Sequence, residues 1–93
     1  MISCVEGRCA LQGPVTMANV THVLAESEHL FSGTDVIIDL AGVTDVDSAA
    51  VSLLLEWRRL ARAAHRKIGF ANVPENVKSL AELYGVSDLL AIA

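Results

Sequence analysis

The stretch Val36-Ile37-Ile38-Asp39-Leu40, followed shortly by Asp45-Val46-Asp47-Ser48-Ala49-Ala50-Val51-Ser52-Leu53-Leu54-Leu55, constrains the fold of this chain more than any other part of it. Three consecutive β-branched residues bounded by turn signals predict a central strand over Asp35–Leu40. Downstream, Ala50, Leu53, Leu54, Trp57, Leu60, Ala61 and Ala64 recur at steps of three and four. That spacing predicts a helix from Ser48 to about His65 with those residues as its buried stripe. A carboxylate and a small hydroxyl stand where the helix begins, and two alanines behind them let the helix start lie close to other backbone.

The flanking segments extend the pattern. Ile2–Val5 and Arg8–Gln12 read as two short strands joined by a Glu6-Gly7 turn, and Gly13-Pro14 is expected to break the second. Thr16 is expected to cap a helix from Met17 to about Phe31, stopped by Gly33. Lys67–Ala71 is the next strand. Pro74 suits the first turn of a third helix whose buried face is Val77, Leu80, Ala81 and Tyr84 and whose stop is Gly85. Val86–Ala93 carries Leu89, Leu90 and Ile92, enough for a short helix or a last strand. Alternating strands and helices predict a single α/β domain over residues 1–93, a mixed β-sheet with α-helices packed on it. The strands Asp35–Leu40 and Lys67–Ala71 should be parallel neighbours.

Composition narrows the partners. Hydrophobic residues are 53% of the chain, enough for a core without metals or disulfides. Aromatic residues are 4%, which argues against stacking on single-stranded nucleic acid. A net charge of −4 argues against a phosphate-backbone partner, so no nucleic acid is expected. No apolar run is long enough to span a membrane. The start, Met1 to Glu6, lacks a basic region and a long apolar region, so a cytosolic location is expected. Cys4 and Cys9 match neither a redox CxxC nor a zinc pattern. If Glu6-Gly7 is a two-residue turn they face each other across the ladder, where a disulfide can form under oxidation. In a cytosolic setting two reduced cysteines are the expectation.

Enzymatic chemistry has little to stand on. There is no Walker loop and no glycine-rich dinucleotide fingerprint. His22, His29 and His65 lack metal-ligand spacing, and nothing brings a histidine to Ser48. No catalytic residue, cofactor or metal is expected.

The start of the Ser48 helix offers a different kind of chemistry. Its first backbone N–H groups are unpaired and carry partial positive charge, which favours a phosphate or a partner's carboxylate. Asp47 opposes a phosphate there. The plain alternative is that Asp47 or Ser48 is an N-cap. At about 100° per residue, Ser48, Ser52, Leu55, Arg59, Arg62 and Arg66 fall opposite the core stripe, with Val51 at the edge of that face. An apolar residue ringed by hydroxyls and arginines has the composition of a small docking surface.

These residues resemble the STAS domain family, the sulphate-transporter and anti-sigma-factor-antagonist fold, over nearly the whole chain. The resemblance rests on the hairpin, the Gly13-Pro14 break, the Val36–Leu40 strand, the signature Val46-Asp47-Ser48-Ala49-Ala50, and Pro74-Glu75-Asn76-Val77-Lys78-Ser79-Leu80. Ser79-Leu80-Ala81-Glu82-Leu83-Tyr84-Gly85-Val86 and Leu53-Leu54-Leu55 are most similar to the MlaB branch, whose members serve a bacterial phospholipid ABC transporter. The chain departs from the family in having Ala49 and Ala50 where small glycines usually follow the hydroxyl residue. The resemblance implies a non-catalytic accessory subunit, cytoplasmic and peripheral at the inner membrane, that binds and supports the transporter's ATPase subunit. Asp47, Ser48, Val51, Ser52, Leu55, Arg59 and Arg62 are the expected contacts. Ser48 would cap its own helix, Leu55 would fill an apolar pocket and the arginines would meet carboxylates. The alternative is an anti-sigma-factor antagonist, with an anti-sigma kinase as partner and Ser48 as the phosphorylated residue. Ile2–Val5, as an edge strand, is the candidate surface for a homodimer.

Overall fold

The structure, a computed structural model, describes residues 2–27, 29–30 and 35–90. Among the described residues seven elements follow one another: β1 (Ile2–Val5), β2 (Arg8–Val15), α1 (Val20–Glu26), β3 (Val36–Val46), α2 (Ser48–Ala63), β4 (Ile68–Ala71) and α3 (Glu75–Leu83). They form one four-stranded sheet in the order β1-β2-β3-β4. The β1–β2 pair is antiparallel and the other two pairs are parallel, so the sheet is mixed as expected. Asp39 lies beside Ala71, which confirms that the third and fourth strands are parallel neighbours.

The hairpin turns on Glu6 and Gly7, with φ of 50° and 81°. Positive φ at both central positions matches the twist of the flanking strands. Gly13-Pro14 does not end β2, contrary to expectation. The strand absorbs the pair through two register irregularities, between Ala10 and Gln12 and between Gly13 and Val15, and runs on to Val15. β3 likewise continues past Leu40 to Val46, because the lengthened β2 gives it a partner.

Alternation along β3 defines the layers. Val36, Ile38 and Leu40 are buried, Ile37 is exposed and Asp39 is half-buried. The buried set joins Cys9 and Leu11 of β2, Val23 of α1, Ala50, Leu53, Leu54, Trp57 and Ala61 of α2, and Val77 and Ala81 of α3 in one core. The helices therefore cover one face of the sheet, and the apolar run Val36-Ile37-Ile38 does not signal a strand enclosed on both sides. The opposite face presents Val5, Arg8, Ile37 and Asp39.

The first helix is shorter than predicted. Thr16 caps only a turn, its hydroxyl accepting from Ala18 N at 3.3 Å. Asn19 then folds back, accepting from Thr16 N at 2.9 Å and donating to Pro14 O at 2.7 Å. Such local side-chain bonds compete with helix, so α1 starts at Val20. It ends at Glu26, and the predicted positions Phe31 and Gly33 lie outside the described residues. α2 ends two residues before His65, which takes φ +57° while Arg66 N donates to Ala61 O at 2.8 Å. Gly85 closes α3 in the same way at φ +70°, as expected. Tyr84, assigned to the buried face of α3, is exposed instead, because it follows the last full turn. Residues 87–90 form a turn that buries Leu90, while Ile92 is outside the described residues.

The joint between α1 and α2 is polar at its centre. Trp57 is fully buried and donates from Nε1 to Ser27 Oγ at 2.8 Å, and the Ser27 hydroxyl donates in turn to Leu24 O at 2.7 Å. Ser27→Ala strands the indole N–H in the core and is expected to cost about 1–3 kcal/mol in urea-induced unfolding. On the uncovered face, Ala41 N–H holds the Asp39 carboxyl below its usual range against the opposing effect of desolvation, with help from Asn72 and Arg8. Because the carboxyl is depressed, its stabilisation is complete at neutral pH and is lost as pH falls through the depressed value. Carbon-detected NMR titration should place Asp39 below an ordinary aspartate, and Arg8→Ala should raise it only partway, since the Ala41 bond remains.

Candidate functional site

β3 delivers the chain to the top of the core, and Asp47 turns it into α2. Asp47 has extended backbone and is the N-cap: its Oδ1 accepts from Ala49 N at 2.8 Å. Its other oxygen, Oδ2, accepts from Met17 N at 3.0 Å. One carboxylate thus caps α2 and anchors the β2–α1 turn beside it. Contrary to expectation, Ser48 does not cap the helix, because Asp47 already occupies that role one residue earlier. The Ser48 side chain is exposed on the first turn and makes no hydrogen bond among the described residues. Ala49 and Ala50 behind it are buried, and no polar side chain of the described residues is buried without a partner.

The expected docking face divides. Ser52, Arg59 and Arg62 are exposed, in line with Ser48. Val51 is 4% exposed and belongs to the interior, which corrects its placement on the outer face. Leu55 is half-buried and packs against the core, so it cannot stand out as an apolar knob. A helical wheel puts both on the outer half, but α2 is covered on two flanks, and the covered arc is wider than the wheel implies. Arg59 is held by Glu56 through paired contacts, both 2.7 Å. That pairing keeps the Glu56 carboxyl below its usual range. A partner carboxylate would have to compete for Arg59, whereas Arg62 is exposed in the last turn with no ion pair among the described residues.

What the face loses on one flank it gains on the other. Met17, Val20 and Thr21 meet Ser48, Ala49 and Ser52 around a surface hollow, which continues along Leu24, Leu53 and Glu56. Met17 is 76% exposed and lies at the mouth of this hollow. The groove between α1 and α2 therefore has an apolar wall from α1 and a hydroxyl rim from Ser48 and Ser52. Sequence reasoning missed Met17, Val20 and Thr21, because it placed them inside a longer helix. The exposed methionine beside a turn-forming Thr16 was the available signal; the Asp47–Met17 bond was not.

No group of three or more metal-ligating side chains is present among the described residues, and no described helix is long and apolar enough to cross a membrane.

The family model described as "Mlab, STAS domain" matches residues 3–91. The chain belongs to the STAS domain family. The solved structure of the anti-sigma-factor antagonist SpoIIAA in its unphosphorylated form is similar, with a TM-score of 0.75 and 18% identity over 95% of this chain and 82% of that one. A crystal structure of Mglu matches with a TM-score of 0.64 and 24% identity over 83% of this chain, which spans 20% of its length. No curated protein sequence matches. The two structures establish the fold, and the STAS family is one of binding and regulatory domains.

Asp47 and Ser48 should separate cleanly in stability. Asp47→Ala removes a cap and a loop anchor and is expected to cost about 1–2 kcal/mol. Ser48→Ala should stay within about 0.5 kcal/mol of the unmutated chain, as exposed sites do. Paired urea titrations read both.

Proposed function

We propose that this STAS domain is a non-catalytic accessory subunit that docks on the cytosolic ATPase subunit of a phospholipid-transporting ABC complex. The match of the Mlab family model to residues 3–91 carries this reading. The geometry supports a protein partner rather than a small ligand: the α1–α2 groove is open, with an apolar wall and a polar rim, and the exposed Ser48, Ser52 and Arg62 extend it along α2. A helix or loop of the ATPase would cover Met17, Val20 and Leu24, accept from the Ser48 and Ser52 hydroxyls, and offer a carboxylate to Arg62. Asp47 acts through position, holding Met17 and Ser48 on adjacent sides of the groove. The domain would sit at the inner membrane through this complex.

Leu55 is unsuitable for a test, since Leu55→Asp would put a charge against the core. Met17→Asp and Ser52→Glu change exposed side chains of the groove. Co-expressed with the cognate ATPase subunit, each is expected to retain its circular dichroism and unfolding midpoint and to lose at least about tenfold in affinity. Unaltered co-purification of both folded variants would exclude this groove as the contact.

A second reading, an anti-sigma-factor antagonist switched at Ser48, is favoured by the free, exposed Ser48 hydroxyl and by the likeness to SpoIIAA. Transfer of the γ-phosphoryl of ATP to Ser48 Oγ, with release of ADP, would set a dianion beside the Asp47 carboxylate. Repulsion would weaken both Asp47 bonds and loosen Met17 from the groove. Incubation with an anti-sigma kinase and ATP, followed by mass spectrometry, distinguishes the two: phosphate on Ser48 is expected only under this second reading.

A further inference from the structure

The two cysteines of the chain meet in the β1–β2 hairpin. Cys4 and Cys9 are register partners with Cα atoms 4.0 Å apart and their sulfurs joined, in place of the two reduced thiols expected. So short a Cα separation marks the non-hydrogen-bonded type of antiparallel pair, which leaves Ser3↔Ala10 and Val5↔Arg8 as the pairs that carry the ladder bonds. The two ends of the bridge differ in access. Cys9 is 1% exposed and lies in the core, whereas Cys4 is exposed on the edge strand. β1 pairs with β2 alone, and Ser3, Cys4 and Val5 are all exposed, so Ile2 is its one side chain packed against the core. The cross-link and a short ladder are what keep this strand on the sheet.

We infer that Cys4 and Cys9 form a thiol–disulfide switch in which Cys4 exchanges with low-molecular-weight disulfides, Cys9 is the resolving thiol, and the redox state decides how firmly β1 is held. In the oxidising direction the Cys4 thiolate attacks one sulfur of glutathione disulfide. The reagent's S–S bond breaks, and one glutathione leaves, taking up the proton that Cys4 gave off. The Cys9 thiolate then attacks the Cys4 sulfur and expels the second glutathione, which is protonated in turn. Two protein thiols are oxidised and one glutathione disulfide is reduced to two glutathiones. Reduction runs backward through the same mixed disulfide, with attack at Cys4 because the body of the domain shields the Cys9 sulfur. Neither cysteine lines the α1–α2 groove, so this chemistry stands or falls independently of the partner bound there.

The test uses the full chain, reduced and then exposed to glutathione disulfide, with alkylation at timed points and mass spectrometry. The unmutated chain is expected to pass to the internal disulfide without accumulating adduct. Cys9→Ser should hold a stable glutathione adduct on Cys4, and Cys4→Ser should react at Cys9 at least about tenfold more slowly. Equal adduct rates in the two variants would overturn the assignment of Cys4 as the exchanging residue. Hydrogen exchange on the unmutated chain supplies a measurement that needs no variant to fold. The Ser3 and Val5 amides are expected to exchange at least about tenfold faster in the reduced chain than in the oxidised one. Identical protection in both states would overturn the link between the bridge and β1.

Discussion

The Asp47 carboxylate is where strand, helix and turn are joined. Its two oxygens accept from Ala49 N and Met17 N, and no second acidic side chain stands in the first turn of α2 to replace it. Helix N-termini leave N–H groups without partners, and a carboxylate answers both the missing bond and the local positive charge. Here the same group also reaches a donor thirty residues earlier in the chain. That second bond ties the β2–α1 turn to the start of α2, where the pairing of Val15 with Val46 already brings the two chain segments side by side.

The groove is a product of asymmetry in the layers. All three helices share one core with one face of the sheet, so α1 and α2 lie side by side and their outward edges form a cleft. Trp57 and Ser27 fix the deep side of that cleft through a buried hydrogen bond, while the Asp47–Met17 bond fixes its mouth. Between the two, Val20, Thr21, Leu24, Ser52 and Glu56 present a mixed surface. A surface of this kind suits a protein segment, which can supply apolar area and hydrogen-bond partners together.

Local signals in the sequence carried most of the fold. The β-branched run at Val36, the stripe through Trp57, the Glu6-Gly7 turn and the stop at Gly85 each act over a few residues, and each appears in the structure. Signals that depend on a distant partner were not legible. Gly13-Pro14 looks like a break until β3 is alongside to accept an irregular register. Val51 and Leu55 look outward until a second flank of α2 is covered. Thr16 looks like a cap until Asn19 takes up the neighbouring backbone groups. For the candidate site, the exposure of Ser48, Ser52 and Arg62 could be read from helical spacing alone, whereas the place of Met17 beside them rests on long-range contacts, the Val15–Val46 pairing and the Met17–Asp47 bond.

Trp57, the only tryptophan in the chain, is both fully enclosed and hydrogen-bonded to Ser27, the residue that caps the end of α1. Its fluorescence is therefore an internal gauge of whether α1 remains seated, insensitive to quenchers in the solvent. A ligand that merely covers the outer rim of the groove would leave the emission unchanged, whereas one that prises the helices apart would shift it to the red.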